Sequence, residues 1–134
     1  MPSLCLATPQ FAAHWFPDGL TREAVAEAPA VLYNRKDSMH HRFLELLFGG
    51  SVPFPAHYVP SSERFVEVLA KGLAYGIVPS LQAEPYLREG TLVDIGCGRS
   101  ISIRLYWHCW SLRTRFVDRL TECVARHARV VLAP

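Results

Sequence analysis

The chain has 134 residues, 50% of them apolar and 19% charged, with a formal net charge of +2. That length supports one modest core, the composition is globular rather than disordered, and so small a charge does not by itself argue for nucleic-acid binding. No apolar run reaches the length of a membrane span, and the N-terminus lacks the basic-then-apolar order of a signal peptide, so a cytoplasmic chain with no membrane partner and with reduced thiols is expected.

In chain order, residues 4–7 are a short apolar run expected as a strand. Residues 9–16 read as a short helix stopped by the Pro17-Asp18-Gly19 turn. Thr21 can cap a helix over residues 22–27, which Pro29 ends, and residues 30–33 are the next strand. Asp37 or Ser38 can cap a helix over residues 39–48 with an apolar stripe of Met39, Phe43, Leu46 and Leu47, stopped at Gly49-Gly50. Pro53 and Pro55 mark a loop before a strand at 56–59. A serine-capped helix over 62–71 buries Phe65, Val68 and Leu69, Gly72 stops it, and a strand at 74–78 follows and ends at Pro79. Residues 82–88 read as a short helix despite Pro85, and 91–95 as a strand. From 100 to 107, apolar Ile101, Ile103, Leu105 and Trp107 alternate with Ser102, Arg104 and Tyr106, a strand at period two. Ser111 can cap the longest helix, 112–132, with a stripe of Leu112, Phe116, Leu120, Val124 and Val131. Strands alternating with helices predict an α/β fold, a central mixed sheet with helices on its faces.

The residues for most chemistries are missing from this pattern. Cys5, Cys97, Cys109 and Cys123 form no CxxC pair, and the histidines, including adjacent His40 and His41, match no metal spacing and read as surface or half-buried side chains. There is no GxSxG, no P-loop and no GxGxxG, and Gly96-Cys97-Gly98 is only a turn signal. No enzyme activity and no cofactor are expected.

Several stretches together resemble the effector-binding domain of LysR-type transcriptional regulators, and within them the arginine/lysine-responsive group: Phe16-Pro17-Asp18-Gly19-Leu20-Thr21-Arg22, Asp37-Ser38-Met39-His40, Ser51-Val52-Pro53, the Ser61-Ser62-Glu63 helix start, Ile77-Val78-Pro79-Ser80-Leu81-Gln82 and Leu105-Tyr106-Trp107-His108. The resemblance implies a fold like the second lobe of a periplasmic binding protein. Residues 1–110 would make that lobe with both hinge strands, and residues 111–134 a C-terminal helix that in the family packs on the first lobe. It implies a small-molecule effector, a basic amino acid (lysine or arginine), bound between two lobes. DNA would be contacted only through a winged helix-turn-helix module that has no counterpart in these residues, nor has most of the first lobe.

The candidate ligand-binding residues follow from this. Ser61 and Ser62 sit at a helix start, where free N–H groups and a hydroxyl can hold a carboxylate; the plainer reading is an N-cap worth ~1 kcal/mol. Asp37 matches an acidic position of the group and can pair with an ammonium or guanidinium; the plainer reading is a helix cap. Trp107, with His108, can line the cleft floor, although its alternation with Leu105 argues for the core.

The expected function is ligand sensing as the effector-binding portion of a LysR-type regulator. Three alternatives stay open: a non-enzymatic module that associates with full-length regulators, a solute-binding protein, and an enzyme of periplasmic-binding-protein fold such as a deaminase-like porphyrin assembler. The apolar face of the final helix predicts association, a homo-oligomer by preference or a refolding of that helix onto the sheet.

Overall fold

The computed structural model describes residues 1–111 and 114–132, in two compact units: Pro2–Ile101, and Met1 with the residues from Ser102 onward. In the first unit β1 (Pro2–Ala7) is the middle of the sheet. It pairs antiparallel with β4 (Gly76–Pro79), Ser3 opposite Pro79 and Leu6 opposite Gly76. On its other side it pairs antiparallel with β5 (Val93–Asp94), and β6 (Ser100–Ser102) also pairs with it. A second, parallel pair joins β2 (Ala30–Leu32) to β3 (Ala56–Tyr58). The two pairs meet at a parallel bridge between Ala30 and Tyr75, where the Val31 N–H donates to the Tyr75 carbonyl at 2.9 Å and the Tyr75 N–H to the Pro29 carbonyl at 3.1 Å.

The strands bury both faces, because successive side chains point to opposite sides of the pleat. Cys5, Ala7, Ala30, Leu32, Tyr75 and Ile77 belong to one core, which also takes in Phe11 of α1 (Pro9–Trp15), Val25 of α2 (Arg22–Glu27) and Phe43 and Leu44 of α3 (Met39–Phe48). Leu6, Val31, Ala74 and Val78 belong to the other, with Phe65, Val66 and Leu69 of α4 (Ser62–Ala70) and Ala83 of α5 (Ser80–Arg88). Helices therefore cover both faces, and the α/β expectation holds. The helix starts are locally encoded. The hydroxyls of Thr8, Thr21 and Ser61 accept from the N–H groups of Phe11, Ala24 and Arg64, each cap worth ~1 kcal/mol.

Several expectations shift. In α4 the expected Phe65 and Leu69 are buried, Val66 joins them, and Val68 is only half-buried against the same core, so the buried stripe is wider than expected. In α3 the buried side chains are His40, Phe43 and Leu44, while Leu46 is 61% exposed. Strand order ends at Ser102, and residues 103–110 have no regular structure. Leu105 and Trp107 are 54% and 52% exposed, which overturns the core reading of Trp107: with no buried face beneath it, the alternation has nothing to alternate against.

In the second unit the Met1 ammonium donates to the Ile103 carbonyl and the Ile103 N–H donates back to the Met1 carbonyl, both at 3.0 Å. Its helix α6 (Arg115–Val131) starts at Thr114, whose hydroxyl accepts from the Val117 N–H at 3.2 Å, rather than at Ser111. The expected stripe member Leu112 lies outside the described residues. Phe116, Leu120 and Val131 are exposed.

The departure with the largest physical consequence is His40, expected at the surface or half-buried and found only 1% exposed. It lies edge-on to the Tyr75 ring at 4.8 Å between centroids and against Phe54 at 4.6 Å. Neither of its ring nitrogens, nor the Tyr75 hydroxyl, has a hydrogen-bond partner among the described residues. Burial, with a smaller contribution from His41, lowers the His40 pKa from 6.5 to about 3. The folded chain thus holds this imidazole neutral while the unfolded chain protonates it below pH 6.5. Stability is complete above about pH 6.5 and is lost as the pH falls from there toward 3, by up to about 1.4 kcal/mol per pH unit. His40→Leu removes the titrating group along with two unpaired nitrogens. Urea unfolding at a series of pH values should show the wild type losing stability relative to His40→Leu between pH 7 and pH 4. Parallel profiles for the two proteins would refute this account of His40.

Candidate functional site

The parallel pair decides where the candidate residues go. Ala30, Val31 and Leu32 face Ala56, His57 and Tyr58 in register, and the Val59 N–H donates to the Leu32 carbonyl at 2.9 Å. Both strands therefore end at the same edge of the sheet. From β2 the chain leaves into the loop of residues 33–38, which carries Asp37; from β3 it leaves through Val59 and Pro60 into Ser61 and α4. The crevice beyond the carboxyl ends of parallel strands is the usual place for a ligand in open α/β sheets.

Asp37 is half-buried, and both its oxygens are engaged. One accepts from the Met39 N–H at 2.9 Å and the other from the Tyr33 N–H at 3.0 Å. The first contact covers a free donor of α3, whose formal N-cap Ser38 makes no side-chain cap bond. The second ties the loop back to the end of β2. Asp37 is thus a clasp for the loop, and its carboxylate keeps lone pairs and its charge for a cation at the edge.

Ser61 is the N-cap of α4, with extended backbone, its hydroxyl 3.4 Å from the Arg64 N–H and its own N–H donating to the Val59 carbonyl at 2.8 Å. Ser62 is exposed at the first helical position and lines a groove of about 460 Å³ between α4 and α5 with Glu63, Leu81 and Gln82. The start of α4 carries a partial positive charge and N–H groups that intrahelical bonds do not use, so it can hold a carboxylate. Trp107 belongs to the other compact unit, where its indole N–H donates to the Thr121 hydroxyl at 3.3 Å. Asp37, Ser61 and Ser62 thus share one sheet edge of the first unit.

The edge also carries residues that the sequence reading did not single out. Tyr33 and Tyr58 are 41% and 46% exposed at the ends of β2 and β3. The Arg35 guanidinium stands over the Tyr58 ring, 5.8 Å from its centroid. The available signal was an aromatic at the last position of β3 and just past the last position of β2, where the core no longer needs one. Among the described residues no group of His, Cys, Asp or Glu is placed to hold a metal ion.

No family model matches the chain. An HTH-type transcriptional regulator ArgP of Erwinia tasmaniensis is 39% identical over 132 residues, covering 96% of this chain and 44% of the relative. The C-terminal domains of a LysR family protein from Agrobacterium tumefaciens superpose with a TM-score of 0.94 at 33% identity, over all of this chain and 65% of that one. Full-length LysG from Corynebacterium glutamicum with bound effector Arg superposes with a TM-score of 0.82 at 32% identity, over 96% of this chain and 43% of that one. The chain spans less than half the length of the ArgP relatives it matches, 43–45% in the first of them. By sequence and by fold, across nearly all of its length, it belongs to the effector-binding portion of LysR-type transcriptional regulators, in the group of ArgP and LysG.

Proposed function

We propose that this chain is the ligand-sensing part of a LysR-type regulator that responds to a basic amino acid. The observation that carries the reading is the shared edge: a loop that presents the Asp37 carboxylate and an anion-accepting helix start, both delivered to one edge by parallel strands. An α-amino acid with a cationic side chain has the complementary ends. Its carboxylate would take the start of α4 at Ser61 and Ser62, and its ammonium or guanidinium the Asp37 carboxylate. The bound effector Arg of LysG, a relative in fold and sequence, supports this choice of ligand. Residues 111–134 would belong with the other lobe of a longer protein. The response is a population shift: a ligand that bridges two lobes favours the closed arrangement by its differential affinity, and nothing is done to it chemically. A cytoplasmic location and DNA contact through another module of a longer regulator complete the proposal. Among the described residues no helix is long and apolar enough to cross a membrane.

In a full-length regulator carrying this domain, Asp37→Ala should weaken arginine at least about tenfold by calorimetry, the scale of a lost charge-assisted bond, and should weaken citrulline, its uncharged analogue, far less. Equal losses for the two ligands would remove Asp37 from cation recognition. The chain alone should bind weakly, since one lobe's contacts must offset the whole entropy of association.

A second reading, association with further copies or with longer regulators, is favoured by the exposed apolar side chains of the second unit: Trp110 at 88%, Phe116 at 74% and Leu120 at 42%. Sedimentation of the chain should show a dimer or larger species that Phe116→Ser with Leu120→Ser dissociates, while the circular dichroism of the sheet unit persists. A wild-type monomer at the same concentrations would dismiss this reading.

A further inference from the structure

The cation over Tyr58 is the chain's own. Arg35 lies in the loop that Asp37 clasps, two residues before it, and its guanidinium stands over the ring that closes β3. The sites named so far do not use this contact. It also poses a chemical difficulty, because a loop with Arg35 and Lys36 beside Asp37 carries two positive charges where a cationic ligand is to be received. A freely moving Arg35 would repel such a ligand or occupy Asp37. Held on the aromatic face it stays off Asp37, since the ring quadrupole attracts it there in place of a carboxylate. Tyr58 and Asp37 are thus two cation-attracting groups at one edge, and one of them already holds a guanidinium.

We infer that Arg35 is an internal competitor for the cationic ligand: it occupies at Tyr58 the place that a ligand guanidinium or ammonium takes, and binding requires it to leave. This deepens the proposed function and rests on it. The consequence is a threshold. Each binding event must first break the Arg35–Tyr58 contact, so affinity for cationic ligands is set below what the edge would otherwise give, and uncharged ligands feel no such effect. Lys36 carries the same charge, and its backbone N–H is held by the Asn34 side chain at 2.8 Å, so it serves as the control for plain repulsion.

Nuclear magnetic resonance on the full chain with arginine and citrulline as probes tests this. Without ligand, the Arg35 side-chain protons should be shifted upfield by the Tyr58 ring, a shift that Tyr58→Leu abolishes. Added arginine should move the Ser62–Arg64 amides and return the Arg35 protons toward their unshifted position. Arg35→Gln should tighten arginine three- to tenfold and leave citrulline unchanged, and Lys36→Gln should tighten arginine by less than twofold. An Arg35 signal without ring shift, or one that stays shifted when arginine is bound, overturns the inference. So does Arg35→Gln that weakens arginine or merely equals Lys36→Gln; if the Ser62–Arg64 amides still respond to arginine, the broader reading of the site survives. If those amides respond to arginine in neither the wild type nor Arg35→Gln, the reading of the site fails and the inference with it.

Discussion

The parallel register of β2 on β3 is the constraint from which the candidate site follows. Leu32 opposite Tyr58, sealed by the bond from the Val59 N–H to the Leu32 carbonyl, makes two separate stretches of chain leave the sheet at one place. A slip of one residue would turn Val31 and His57 to the wrong faces and exchange the two cores. The register is held because Ala30 and Leu32 are needed on the face of α1 to α3 while Val31 is needed on the face of α4 and α5. The packing that fixes the fold therefore also fixes the spacing between the loop that carries Asp37 and a helix start. Gly76 shows how tightly this is done: a Cβ there would come within 3.1 Å of the Val31 side chain and 3.2 Å of Phe65.

The core accepts an unusual polar burden. Cys5, His40 and Tyr75 are all fully or nearly fully buried. Burial pushes the Cys5 thiol and the Tyr75 hydroxyl well up from their ordinary pKa values, with Asp94 adding to the first and Cys5 to the second. Each unpaired buried donor or acceptor costs roughly 1–3 kcal/mol. Partial compensation comes from the ring packing: Tyr75 stands edge-on to both Phe16 and His40, with Phe11 beside it. This cluster spans β1, α3 and the bridge that joins the two strand pairs. It includes His40 from the first turn of α3, the helix whose start Asp37 caps.

How much of this was legible in the sequence depends on the range of the forces involved. The starts at Thr21 and Ser61 could be read because a cap is made by residues three apart; the same signal at Thr8 was passed over. So could the alternation of strands with helices. The order of strands, the bridge at Tyr75 and the pairing that puts Asp37 and Ser61 at one edge depend on contacts far apart in the chain. The resemblance to a known family placed those two residues in one cleft; periodicity alone did not. Burial was misread where it depends on what lies opposite. His40 is polar by type but faces aromatic rings, Val66 is buried more deeply than Val68, and Trp107 alternates correctly over a stretch with no neighbouring strand. Tyr33 and Tyr58 were passed over because a strand pattern assigns such residues to the sheet and gives no sign of where the strands stop.

The account thus makes one sheet edge the receiver of a small zwitterion with a cationic tail, with the rest of the molecule as its support. The most direct measurement is a crystal structure of a longer regulator containing this chain, grown with arginine. The account predicts the ligand's carboxylate at the N–H groups and hydroxyls of Ser61 and Ser62, and its guanidinium toward Asp37 and Tyr58, at the carboxyl ends of β2 and β3. Arginine bound with its carboxylate away from α4, or at a place that touches neither Asp37 nor Ser61, would contradict it.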